Sequence, residues 1–243
     1  MARLIRRALW WLLLAIFLGA AYFYAREYVR RYPQDVPWTR LDLRHPIGLF
    51  SAQKLAALSD RPAQCRALLH AAGIGDQPVP PKRIGTDCGY ADGMRLGDDG
   101  RTVAFRPAGA ITSCPVAAAL ALFEREVLQP AARRHFGRRV TVIDHSGSYS
   151  CRRIYGRSEG AFSEHATADA IDITGFRLAD GTRVSVPHDW GGDGPESRFL
   201  HDVRDGACNV FATVLSPDYN AAHRDHLHFD QAERGRVAWS LCR

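Results

Sequence analysis

The chain has 243 residues, 46% of them hydrophobic and 24% charged, with a formal net charge of +6. That is an ordinary globular composition, and after an N-terminal segment it leaves enough chain for one domain with a sizeable core. The positive charge is spread along the sequence with no long Lys/Arg tract, which argues against a nucleic-acid partner and for modest attraction to an anionic wall or membrane.

Residues 1–7 are basic and read as a cytoplasmic tail. Ala8 to Ala25 contain no charged residue, a length near the lower limit for a spanning helix. Trp10 and Trp11 near one end and Tyr22 and Tyr24 near the other fit an aromatic belt. The stretch has no polar face, which argues against a buried soluble helix. A signal peptide cleaved near Gly19-Ala20-Ala21 is the alternative. The apolar run continues past that point and favours a retained anchor over residues 8–25. Arginines on both sides leave the positive-inside rule nearly silent. Orientation comes from the six cysteines instead: all lie beyond the apolar stretch and none forms a C-x-x-C pair. They read as a disulfide set in an oxidising compartment, with the pairing open. The expected location is therefore the inner membrane, single-pass, with the C-terminal domain in the periplasm. A Cys151 nucleophile is a poor reading, because no His partner lies nearby in sequence.

Residues 26–58 read as a stalk or linker, with the Pro-containing stretch Tyr32 to Trp38 either extended or lying on the domain. The domain proper is expected over 59–243. Ser59-Asp60-Arg61-Pro62 resembles a capped helix start, and Gly73 a stop. Residues 74–87 read as loop, and Gly89 to Phe105 as short strands with a turn at Gly97-Asp98-Asp99-Gly100. A strong amphipathic helix should run from Cys114 to about Phe136, with an ordinary core face. Arg138 to Asp144 reads as a strand leading into the loop Ser146 to Arg152. A hairpin is expected around Ala179-Asp180-Gly181-Thr182, then a loop from Asp189 to Ser197 that could edge a groove. A second long helix is expected from Arg198 to Leu215, carrying Cys208. The fold class is α+β: a small antiparallel sheet carrying a zinc site, flanked by helices, with an N-terminal transmembrane helix.

Two stretches carry the chemistry. In Ser163 to Asp172, alternation puts Ile171 and Ile173 on the core face and Asp172 on the other, with Ala168 and Ala170 leaving room for a ligand. In His223 to His228, His226 and His228 share a face and Leu227 and Phe229 take the buried one. Catalytic zinc commonly takes three protein ligands and leaves a position for water, and His165, Asp172 and His228 supply that set. Asp225 and His226 are then left beside the metal, a carboxylate to take a proton and an imidazole to stabilise an oxyanion.

These motifs resemble the zinc metallopeptidases grouped with lysostaphin-type, D-Ala-D-Ala and hedgehog domains. More closely, Ser148-Tyr149-x-Cys151-Arg152, Ser163-Glu164-His165-Ala166, Ala170-Ile171-Asp172-Ile173, Leu215-x-Pro217-x-Tyr219-Asn220 and His223-x-Asp225-His226 are similar to the bacterial extensin-like C-terminal domain family, over about residues 60–243. The resemblance implies zinc on His165, Asp172 and His228, Asp225 as general base, and His226 as a transition-state partner. It also implies Arg152 as a grip on a substrate carboxylate and Ser163 beside it. The sequence departs at Ala168, where Gly is usual and a methyl group could narrow the cleft.

The expected function is a membrane-anchored periplasmic zinc peptidase acting on peptidoglycan peptides, with His223 orienting a neighbour or donating to the leaving group. The alternatives are a zinc-bearing binding module that recognises wall peptides without cutting, and a purely structural envelope protein that binds no zinc.

Overall fold

The computed structural model describes residues 1–74, 77–97, 103–232 and 240–243. The first helix, α1, runs Ala2–Arg31 and is exposed along almost its whole length. It is long and apolar enough to cross a membrane, and a signal sequence would meet the same description.

The stretch after α1 differs from the expected stalk. A single turn at Pro33–Asp35 already buries Gln34, and a loop leads to α2 (Ser51–Ala56). Leu41, Leu43, Leu55 and Leu58 are all buried in the core. Lys54 Nζ donates to the Pro33 and Gln34 oxygens, and Arg125 donates to the His45 carbonyl at 2.8 Å. The alternating Leu41 and Leu43 and the helically spaced Leu55 and Leu58 are the reason: each pair offers one apolar face. Helix α3 (Pro62–Ala71) starts where expected, but no side chain caps it, since Ser59 donates to the Ala56 carbonyl instead.

Short strands follow: β1 (Lys82–Ile84), β2 (Cys88–Tyr90), β3 (Met94–Arg95), β4 (Ala104–Arg106) and β5 (Ile111–Thr112). Of the turn expected at 97–100, residues 98–100 lie outside the described residues. The long helix is α4 (Cys114–Phe123), a wide π turn (Glu124–Leu128) and α5 (Gln129–Phe136). Ser113 caps it by accepting the Val116 N–H, and the wide turn falls just ahead of Pro130, which has no N–H to donate.

The remaining elements are β6 (Val140–Gly147), β7 (Ala170–Leu178), β8 (Arg183–Ser185), α6 (Val186–Asp189), α7 (Pro195–Ala207), β9 (Thr213–Leu215), β10 (Leu227–Asp230) and β11 (Leu241–Cys242). The second helix is thus shorter than expected and Cys208 lies just past its end. Thr213 and Val214 are β-branched and pair with β10 instead. The Asp189–Ser197 loop does not edge the cleft, because Trp190 is buried and donates to Asp218.

Among the described residues the sheet has seven strands in the order β11-β9-β10-β7-β6-β4, with β8 also pairing β7. It is larger than expected and mixed. Its centre is antiparallel, but β4 joins β6 and β11 joins β9 in parallel. Parallel partners need a long crossover; α4 and α5 supply one, and the return through β10 supplies the other. Ile143, Ile171, Ile173, Phe176 and Phe229 face the helices and form the core with Phe123, Phe199 and Phe211. Gly175 admits β8, since a Cβ there would lie 2.6 Å from the Val184 carbonyl oxygen. All six cysteines pair, as Cys65–Cys114, Cys88–Cys151 and Cys208–Cys242.

Candidate metal centre

His165 is placed by a turn. Ser163 precedes the single 3-10 turn Glu164–Thr167, and its Oγ accepts the His165 N–H at 3.4 Å. Ala168 closes the turn in the left-handed region, φ +61°, and its carbonyl accepts the Ser113 N–H at 2.7 Å. Glycine adopts that backbone freely and other residues rarely do. The Ala168 methyl is fully buried and does not line the cleft, so neither it nor Ala170 shapes the ligand space. The alternation read into this stretch fails before β7 begins at Ala170.

From Ala170 onward the strand reading holds. Asp172 lies directly opposite His228 across β7 and β10. Ile171, Ile173, Leu227 and Phe229 are wholly buried on the other face. His165 Nε2 is 3.1 Å from Asp172 Oδ2, His228 Nδ1 is 2.9 Å from Asp172 Oδ1, and the two ring nitrogens are 3.2 Å apart. All three residues are buried, and their donor atoms could hold a metal ion. The two separations from His165 Nε2, to Asp172 Oδ2 and to His228 Nδ1, are close to the edge of about 3.3 Å expected for a tetrahedron with bonds near 2.0–2.1 Å.

Each imidazole is also held from behind. His165 Nδ1 faces the Ser148 carbonyl at 2.6 Å, so that nitrogen carries a proton and Nε2 is the atom turned to the cluster. His228 Nε2 faces Asp230 Oδ2 at 3.1 Å, which turns Nδ1 to the cluster. Neither Ser148 nor Asp230 was singled out from sequence as a support, although Asp230 sits two residues after His228 on the same strand. Burial opposes charge at both Asp172 and His228. Hydrogen bonds from the two histidines nevertheless hold the Asp172 carboxyl well below its usual range. Those to Asp172 and Asp230 push His228 up to about 9.

The cluster opens into a cleft of about 410 Å³. Arg152 lines it, 3.8 Å from Asp172 Oδ2. Ser163 lines it too, although its hydroxyl is engaged as the turn cap. His226 reaches it with Nε2, 3.5 Å from Asp172 Oδ1, while its Nδ1 donates to Asp225 at 2.8 Å. Asp225 is not among the lining residues; its side chain is 57% exposed, and the His226 hydrogen bond lowers its carboxyl. His223 lines the cleft and donates through Nδ1 to Asn220 at 2.9 Å. Burial, then the neighbouring His226 and His228, lower the His223 pKa to about 4, so the ring is neutral with Nε2 as an acceptor. Tyr155, also unforeseen, stands at the rim at φ +58° and accepts a hydrogen bond from Asn220 at 3.0 Å. The disulfide Cys88–Cys151 ties down the loop that carries both Arg152 and the Ser148 carbonyl.

The arrangement can therefore do three things: hold a cation on a buried N₂O donor set, present an oriented imidazole beside it, and offer a guanidinium to an anionic group. No curated protein and no solved structure matches the chain. Over residues 63–243, which take in the whole cluster and its rim, the sequence matches the family described as Extensin-like protein C-terminus, and the chain belongs to that family.

Proposed function

We propose that this chain is a membrane-anchored zinc peptidase of the lysostaphin, D-Ala-D-Ala and hedgehog type. Its domain faces the periplasm and cleaves peptide bonds in peptidoglycan. The observation that carries the reading is the convergence of His165 Nε2, Asp172 and His228 Nδ1 on one point of an open cleft, with both rings fixed from behind. The peptidoglycan substrate rests on the family resemblance, and the periplasmic side on the three disulfides beyond α1.

The donor set suits zinc, which would polarise a scissile carbonyl and make a bound water acidic. His226 takes the proton of the attacking water at Nε2, and Asp225, on the far nitrogen, holds the tautomer that makes this possible. Arg152 grips a substrate carboxylate. His223, neutral and tied to Asn220, accepts a hydrogen bond from the bound peptide. The base role expected of Asp225 thus passes to its partner, because the ring lines the cleft and the carboxylate does not.

The test is a digestion. Purified cross-linked peptidoglycan is incubated with the zinc-loaded protein and with His165→Ala, and products are read by mass spectrometry. New muropeptides from the unaltered protein alone are expected, and their masses name the bond. An intact substrate with a folded, zinc-loaded protein would favour a non-catalytic binding module. The exposed Asp225 carboxylate is the feature that keeps that second reading in play.

A further inference from the structure

The metal cleft occupies only one end of the sheet's open face. Asp172 points away from the core between Ile171 and Ile173. Asp144 and Arg177 point the same way, since their neighbours Ile143 and Phe176 are core residues. Around those two lies a second groove of about 800 Å³, lined by Arg106, Arg177, Arg183, His145 and His188. Among the described residues, Asp144 is the one acid lining it. Asp189, close in sequence, accepts the Ser185 N–H and stays outside.

The charges form a row across four strands. Arg106 pairs with Asp144, and Arg177 is directly opposite Arg183. Asp144 is claimed by Arg177, with contacts of 2.6 and 2.8 Å, and Arg183 lies 3.8 Å from it. One carboxylate cannot neutralise three guanidiniums. Arg106 is exposed, and the Arg183 side chain is 68% exposed. Like charges directly opposite on neighbouring strands destabilise a sheet. His145 adds a buried Nδ1 with no partner among the described residues, while its Nε2 faces the Pro107 carbonyl. Nothing in the packing of the sheet calls for this concentration of positive charge.

Position supplies the reason. Arg177 is five residues from Asp172 on β7, at most about 16 Å at strand rise, and the bulge between Ile173 and Gly175 keeps both on one face. An extended peptide of about five residues spans that distance.

We propose that the arginine groove docks the carboxylate-bearing end of a peptide whose other end lies in the metal cleft. This rests on the peptidase or peptide-binding reading of the cleft and names its substrate class: short peptides with free carboxylates four or five residues from the bond held at the metal site. Arg106 and Arg183 make the contacts, and Arg177 holds Asp144 so that it does not repel the ligand.

The test uses the full-length chain in detergent and two synthetic pentapeptides, one with two free carboxylates at one end and one with both amidated. Binding is measured by fluorescence anisotropy in the His165→Ala background, where no cleavage intervenes, and repeated with Arg106→Ala and Arg183→Ala combined. The acidic peptide is expected to bind about tenfold or more tightly than the amide, and the double variant to remove that preference without weakening the amide. An equal preference in both proteins, or none in either, overturns the proposal. Because the readout is binding, a failed digestion leaves this result interpretable, and successful digestion without the charge preference overturns the groove alone.

Discussion

The two halves of the candidate metal centre are built differently. The His165 half is held mostly by backbone: a turn capped by the Ser163 hydroxyl, a left-handed residue, two main-chain carbonyls and a disulfide-tethered loop. The His223–His228 half is held by side chains: Asn220 on His223, Asp225 on His226 and Asp230 on His228. Backbone supports cannot be removed one side chain at a time, whereas side-chain supports can. The first half should therefore respond to changes in chain tethering and the second to single truncations.

Four substitutions test that contrast, from the largest effect down. His165→Ala removes a ligand and should take bound zinc from near-stoichiometric to near zero by elemental analysis, with the disulfide-linked fold retained. Replacing Cys88 and Cys151 together by Ser should cost about 2–5 kcal/mol in denaturant unfolding. It should also weaken metal binding, because the Ser148 carbonyl sits on the released loop; an unchanged metal affinity would mean that the turn alone positions His165. Asp230→Ala should weaken metal binding by about 10–100-fold in a chelator competition and cost about 1–3 kcal/mol of stability, because the buried Ala232 N–H also loses its acceptor. Ala168→Gly should be nearly silent. Relief of the left-handed alanine, about 1 kcal/mol, is offset by the greater freedom of glycine in the unfolded chain, about 0.4–1 kcal/mol. A rise in zinc or peptide affinity in that variant would show that the methyl does narrow the cleft.

The same contrast explains what the sequence disclosed. Alternation in Ile171-Asp172-Ile173 and Leu227-His228-Phe229 made the strand-borne side legible, because period two fixes which side chains share a face. His165 was legible only as a residue type. Its placement depends on a turn, and turn geometry is not periodic. The supports escaped for a related reason: a main-chain carbonyl such as that of Ser148 leaves no trace in sequence, and Asp230 looked like any strand-end acid. Core helices were read well from Cys114 to Phe136. Arg198 to Leu215 was over-extended, since Val210, Phe211 and Val214 are apolar enough to continue a helical pattern and only pairing with β10 reveals the strand. The leucines at 41, 43, 55 and 58 were passed over because a Pro-containing stretch beside an apolar helix suggests a spacer, and burial against a distant core is a long-range fact.

Those leucines bear on how α1 would work as the anchor proposed above. Gln34 is buried three residues after α1 ends, and Tyr28 near its last turn donates to Asp35 in the strap. A flexible tether would let the cleft wander over a distance that grows with linker length, roughly as 5–6 Å times the square root of its residues. Here only Tyr32 separates the helix from the first turn of the strap. The distance from the end of α1 to the cleft is therefore set by the dimensions of the fold and not by chain slack. A domain held in this way by a membrane-spanning α1, as proposed above, would select targets by height: material within one domain's thickness of the surface would be reached, and material further out would not.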